Sequence, residues 1–428
     1  MISPFHKILS SKKNKKIILV YTSNLLVVDS SNGEILAASS EKSSESNKSY
    51  FKIESSLFPS SNIRSIALSE DESELALISE DKQIANWNLT TYSRTGETQS
   101  IKRANAVQYS RDGTSIAIAD KFGDLYVLKK NKLNQNSIRL HLGHVSMLLD
   151  FTFSIDGKHI ITCERDEKIR VSNFPNSFII DCYCLGHKEY VNSIHIPRFA
   201  TDMLISGGGD ALLILWKFKT GKEIDRFDIA AHLEKLEVDN NAINKFYTTV
   251  MEIKSYSNSN CIAVVLEKQP FLLLLRLVED KLTFMQKINV PKDILSMDFD
   301  SEGNIWMCFG AVSFKSEDTG NNLVAISRFN KEKNLYSAIN VDDPLTSKIN
   351  NFGTTTVDNF PDYYEVSQLG KSSIKAKLEI NAEKFNKNKE MDKIKKMNKK
   401  GAKNCNTAED GTNSEENDLQ QVKKQKLN

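Results

Sequence analysis

A chain of 428 residues is long enough to bury a large core, and 57 lysines and arginines against 55 aspartates and glutamates leave it almost without net charge. That balance excludes a global field for nucleic acid, so any interest in phosphates must be local. Apolar runs such as CIAVVLEKQPFLLLLRLV at 261–278 are broken by Glu267, Lys268, Pro270 and Arg276, and the N-terminus lacks a small-residue cleavage site; the expectation is a soluble, intracellular chain with neither membrane span nor secretory signal.

From about residue 15 to about 340 the chain reads as short runs of apolar and β-branched residues parted by Gly, Asn, Asp and Ser turns, an all-β pattern. Gly143-His144 is followed 22 residues later by Asp166, and Gly186-His187 is followed 23 residues later by Asp210, with Trp216 six further on. A Gly-His, an Asp in a tight turn and an aromatic six residues beyond, repeated every 40–45 residues, is the signature of a WD-repeat β-propeller. Weaker copies pair Asp81 with Trp87 and Asp120 with Tyr126, while Asp166 leads to Ser172 instead of an aromatic. Hairpin turns recur as SRDG at 110–113, SIDG at 154–157 and DSEG at 300–303, with SEDE at 69–72 as a poorer version. The units fall at about 15–60, 62–100, 103–140, 144–184, 187–228, 246–290 and 293–340, giving seven blades, with 38–49 and 229–245 expected as surface loops. His144, Asp166, His187, Asp210 and Trp216 are thereby expected to be scaffold, with the His and Asp bonded across each blade.

Past about 345 the texture becomes polar and then lysine-rich, too poor in apolar residues to bury a core. The expected division is a propeller over 1–345 and an irregular segment with a largely disordered basic tail over 346–428. Lys371, Lys375, Lys377 and Lys384 in that tail would serve equally as phosphate contacts, an import signal or a solvated tail.

No phosphate-binding loop, dinucleotide fingerprint, nucleophile elbow or zinc-protease helix occurs, and SGGGD at 206–210 sits where a propeller turn belongs. No catalytic, metal or cofactor residue is therefore nominated, and a platform for partners is the favoured class. The dense charge in ERDEKIRVSNF at 164–174 is the exception to the neutral turns. Alternation from Asp166 points Ile169 and Val171 into the blade and Lys168 and Arg170 to an exposed edge beside Arg165 and Glu167.

The run LGHVSMLLDFTFSIDGKHIITCERDEKIRVSNFPNSFIIDCYCLGHKEYVNSI, continued by LISGGGDALLILWKFKTGKEI, resembles the non-catalytic WD-repeat subunit of the tRNA (guanine-N7)-methyltransferase over about residues 142–225. The resemblance implies a chain that does no chemistry and stabilises a separate catalytic subunit as a heterodimer. That partner would carry S-adenosylmethionine and form 7-methylguanosine in the tRNA variable loop, with tRNA met through the complex. It nominates Arg165, Glu167, Lys168 and Arg170, and further Lys217, Lys219 and Lys222, as partner contacts. A nuclear location goes with it. A general interaction scaffold, for example in ribosome assembly or ubiquitin-ligase substrate selection, remains the alternative.

Overall fold

The computed structural model describes residues 4–39, 50–53, 58, 61–236, 249–310, 323–340 and 343–352. Seven antiparallel sheets follow one another along the chain, at 7–38, 63–99, 104–143, 148–184, 191–228, 250–289 and 294–327. Each is a meander in sequence order; the first six have four strands, with Phe51–Lys52 added beside the first, and the seventh shows three among the described residues. The first strand of each sheet lies beside the first strand of the next, and the seventh returns to the first. The expected seven-bladed propeller is therefore the fold, although blade one begins at Lys7.

Burial explains the strand sequences. Blades stack face to face, so the second strand of a blade has no solvent face and is mostly apolar: Ser115–Asp120 (SIAIAD) and Cys261–Leu266 (CIAVVL) are buried at every position. Outer strands such as Ser93–Gln99 (SRTGETQ) are mostly exposed and correspondingly polar.

The turns obey local chemistry. In 110–113 and 154–157 the serine hydroxyl donates to the aspartate two residues on, at 2.5 Å in each, and Gly113 and Gly157 take the left-handed conformation the turn requires. Ser69 donates to Asp71 at 2.6 Å in the third copy, where Glu72 accepts the left-handed strain in place of glycine.

Polar side chains join neighbouring inner strands around the channel. Asn105 and Gln108 donate to Leu148 O and Phe151 O, Asp150 accepts from Ile194 N at 3.1 Å, and Glu252 accepts from Met297 N at 3.0 Å. Asp298 closes the ring by accepting from Ser10 N at 2.8 Å. Two helices depart from expectation. Helix α1 (Ile229–Leu236) occupies part of the segment expected as a loop, because Ile229 and Leu233 are buried between blades five and six. Helix α2 (Pro344–Phe352) spans the expected boundary at 345. Its Ile349 joins the core shared by blades seven and one, and Asn350 Oδ1 accepts from Leu323 N and Val324 N. The lysines at 371, 375, 377 and 384 lie outside the described residues.

Candidate partner interface

Blade five is the regular repeat. His187 Nδ1 meets Asp210 Oδ2 at 2.9 Å, His187 Nε2 meets Ser206 Oγ at 2.7 Å, and Trp216 Nε1 donates to the same Ser206 Oγ at 2.7 Å. Burial works against the charge on Asp210, but hydrogen bonds from His187, Lys188 N and Leu212 N hold its carboxyl below the usual range. The glycines before it are packing devices. A Cβ at Gly208 would lie 1.8 Å from Tyr190 O and one at Gly209 2.5 Å from the Tyr190 ring, which leaves no room for a phosphate cradle.

Blade four runs the same circuit with other residues. His144 Nε2 meets Thr162 Oγ1 at 2.9 Å, but Nδ1 meets Glu164 Oε2 at 3.2 Å, not Asp166. Glu164 stands at the strand end where blade five has Gly208, and its longer side chain reaches back to the histidine from there. Asp166 is thus freed from the expected scaffold role; its side chain is 52% exposed and sits 3.6 Å from Arg165 Nε. Asp120 likewise stands at a strand end, accepting from Phe122 N and Asp124 N, so its pairing with Tyr126 is not a copy of Asp210 with Trp216.

The charged turn divides differently from the alternation argument. Arg165, Asp166, Glu167 and Lys168 are exposed, with Glu167 in the left-handed position that Ala211 occupies in blade five. Arg170, expected on the exposed edge, is only 7% exposed: Nε donates to Ser172 Oγ at 3.1 Å and Nη1 to Gly143 O at 3.0 Å. It faces inward because a third strand is packed between two neighbouring blades, and Ser172, standing where blade five has Trp216, leaves room for it. Desolvation lowers its pKa, opposed by Tyr183 and Glu164.

Lys217, Lys219 and Lys222 are exposed, but not beside this turn. Successive turns of a meander alternate between its two ends. Arg165–Lys168 links second to third strands, whereas 217–222 links third to fourth, on the face that carries Asp156; Lys219 Nζ lies 3.2 Å from Asp156 Oδ2. The 217–222 turn instead packs on the outer strand of blade four, Ile180–Cys184. The near turn approaches it so closely that a Cβ at Gly221 would be 2.3 Å from Tyr183 O, and Cys182 Sγ donates to Phe218 O at 3.0 Å. Phe178, Ile179, Ile180, Tyr183 and Leu185 are all more than two-fifths exposed there. The sequence reading missed this strip, though SFIIDCYCL, at a position the register makes outermost, carries the signal.

Comparison with known proteins places this geometry. Residues 7–139 and 129–322 match the family model of the tRNA methyltransferase TRM82 WD40 domain. The chain is 37% identical over 210 residues to the tRNA (guanine-N(7)-)-methyltransferase non-catalytic subunit wdr4 of Xenopus laevis, covering 49% of this chain and 52% of that protein. It is 28% identical over 324 residues to the non-catalytic subunit TRM82 of Candida glabrata, covering 69% and 75%. The chain thus spans about half the length of the Xenopus relative. Among solved structures, U3-55K superposes with a TM-score of 0.59 at 15% identity, over 76% of this chain and 95% of that one, a likeness of fold alone. The chain belongs to the family of the TRM82 WD40 domain, whose curated relatives bear the name of non-catalytic subunits of the tRNA (guanine-N7)-methyltransferase.

Proposed function

We propose that this chain is the non-catalytic partner in a tRNA (guanine-N7)-methyltransferase, binding and stabilising a separate catalytic subunit as a heterodimer. The partner carries S-adenosylmethionine and forms 7-methylguanosine in the tRNA variable loop; this chain contributes no reacting group. The observation that carries the reading is the blade-four turn. There Arg165, Asp166, Glu167 and Lys168 replace the close-packed Gly-Gly-Asp-Ala turn of blade five and project into solvent, while Glu164 and Thr162 satisfy His144. Exposed charges of this kind, with only Lys168 reaching back to within 3.9 Å of Glu164 Oε1, are suited to steering and orienting a partner. The names of the relatives support the identity of that partner. Arg165, Glu167 and Lys168 are assigned to the contact, with Lys217, Lys219 and Lys222 at its other end, and Arg170 to support beneath it. The complex acts in the nucleus, and the tail lysines add phosphate contacts to tRNA.

The test is to delete the protein and measure 7-methylguanosine in tRNA, then restore it as wild type or with Arg165→Glu and Lys168→Glu together. Loss on deletion, recovery with wild type and reduced recovery with the variant are expected. Unchanged 7-methylguanosine on deletion would sink the reading.

A further inference from the structure

We infer that the central channel, at the mouth ringed by the first-to-second strand turns, is an anion site that holds the phosphoryl group of a small molecule through Lys12, Arg111 and Arg198. This mouth is at the opposite end of the channel from the charged blade-four turn, and the site does not depend on the function proposed above.

The channel encloses a cavity of about 500 Å³, within the range that small ligands occupy. The cations that line it at this mouth come from different blades. Lys12 follows the first strand of blade one, Arg111 that of blade three and Arg198 that of blade five. Glu70, from the matching turn of blade two, lies between two of them. Its Oε2 accepts from Arg111 Nη1 at 3.0 Å and its Oε1 from Arg198 Nη2 at 2.6 Å, so one carboxylate joins the turns of three blades. The protein thus already holds one oxyanion here, between two guanidiniums whose planar forks suit such a group.

One carboxylate does not use up the donors. Arg111 Nη2 donates to Phe153 O at 3.2 Å, but Arg111 Nε is buried and donates to no described residue. Lys12 Nζ lies 5.9 Å from the centre of the Tyr256 ring and makes no ion pair among the described residues. The other carboxylates of the wall are committed elsewhere: Glu72 to Ser11 Oγ and Lys13 N, Asp150 to Phe151 N and Ile194 N, Glu252 to Ser296 Oγ and Met297 N, Asp298 to Ser10 N and Phe299 N. Lys254 is not assigned to the site, because its Nζ lies 3.7 Å from Glu252 Oε1. His195 registers the surplus of positive charge. Its Nε2 meets Ser255 Oγ at 2.7 Å, and burial, aided by Lys254, Lys12, Arg111 and Arg198, keeps the ring neutral. A cavity walled by protein focuses such a field on what enters it. A second carboxylate would present two oxygens in one plane, whereas a phosphoryl dianion presents three around a tetrahedral centre and a further charge. The second matches cations that arrive from three blades.

Inorganic phosphate, titrated by calorimetry into the full chain at low ionic strength, is the test, with the His195 imidazole resonance followed by NMR and identified by its loss in His195→Gln. The wild type is expected to bind one phosphate saturably. Arg198→Gln, at a side chain 60% exposed and therefore safe for folding, should weaken binding about 10-fold. Glu70→Gln, which removes the internal oxyanion and releases both guanidiniums, should tighten it about 10-fold, a direction that loss of a purely structural bridge would not produce. Saturating phosphate should also raise the pKa of His195, because the bound anion offsets the cations that keep it neutral. Binding that does not saturate, or that is equal in the wild type and both variants, would mean an adventitious ion only and would overturn the inference. Saturable binding that leaves the His195 titration unmoved would place the anion elsewhere and overturn it equally. Should Glu70→Gln fold poorly, Lys12→Gln takes its place: weakening of several-fold is expected, and wild-type affinity there beside wild-type affinity in Arg198→Gln would sink the site.

Discussion

Blades four and five are consecutive copies of one repeat, and they solve the same problem with opposite economies. Blade five links Asp210, His187, Ser206 and Trp216 in one hydrogen-bonded chain and seals it with three close-packed glycines, leaving no side chain to spare. Blade four satisfies His144 with Glu164 and Thr162, gives up the tryptophan for Ser172, and fills the space with the Arg170 guanidinium. The substitution frees a whole turn: Arg165 to Lys168 are released from structural work and become surface. One altered partner for a histidine is enough to convert a scaffold turn into an exposed, charged one.

The contrast can be broken first at the tryptophan. Trp216 is fully buried in the core shared by blades four and five. Trp216→Ala should cost about 3–5 kcal/mol of unfolding free energy, from lost transfer and a residual cavity. Urea denaturation measures this; a loss below about 1 kcal/mol would mean that the hydrogen-bonded chain, and not the indole, holds the blade. Arg170→Ala is the matching change in blade four. It strips Ser172 Oγ and Gly143 O of their guanidinium partner, and a loss of about 2–3 kcal/mol is expected. A change within 0.5 kcal/mol, the range typical of exposed sites, would return Arg170 to the surface role the alternation argument assigned it.

How far this contrast could be read from the sequence depends on which physics each residue reports. The hairpin turns were readable because Gly113 and Gly157 occupy left-handed positions that restrict residue choice locally. The period was readable because His187, Asp210 and Trp216 are all present in one copy. Glu164 was not, since a spacing rule counts residues along the chain and cannot register that a longer side chain reaches the same histidine from a position two residues earlier. Arg170 was misplaced for a different reason: alternation presumes one solvent face, and a third strand stacked between blades has none. The apolar strip was passed over because Phe178, Ile179 and Ile180 look like core until the register makes their strand outermost.

The two blades also face the channel with groups of opposite response to acid. Burial pushes the Asp150 carboxyl of blade four up to about 6, against hydrogen bonds from Ile194 N and Phe151 N, and pushes His195 of blade five down to about 3, helped by Lys254, Lys12, Arg111 and Arg198. The folded chain therefore holds the Asp150 proton more tightly than the unfolded chain, and this carboxyl's contribution to stability falls as pH rises from about 4 to about 6. His195 does the reverse. Its proton is bound more tightly in the unfolded chain, so the stability it supports is complete above pH 6.5 and is lost as pH falls below it toward 3. Between pH 7 and pH 5 the histidine should remove up to about 2 kcal/mol while the carboxyl returns about 1. His195→Gln keeps a donor for Ser255 and cannot titrate. Urea midpoints at the two pH values should accordingly converge in that variant by the histidine's share, and a wild-type spacing retained in His195→Gln would show that the channel histidine is hydrated and carries no such penalty.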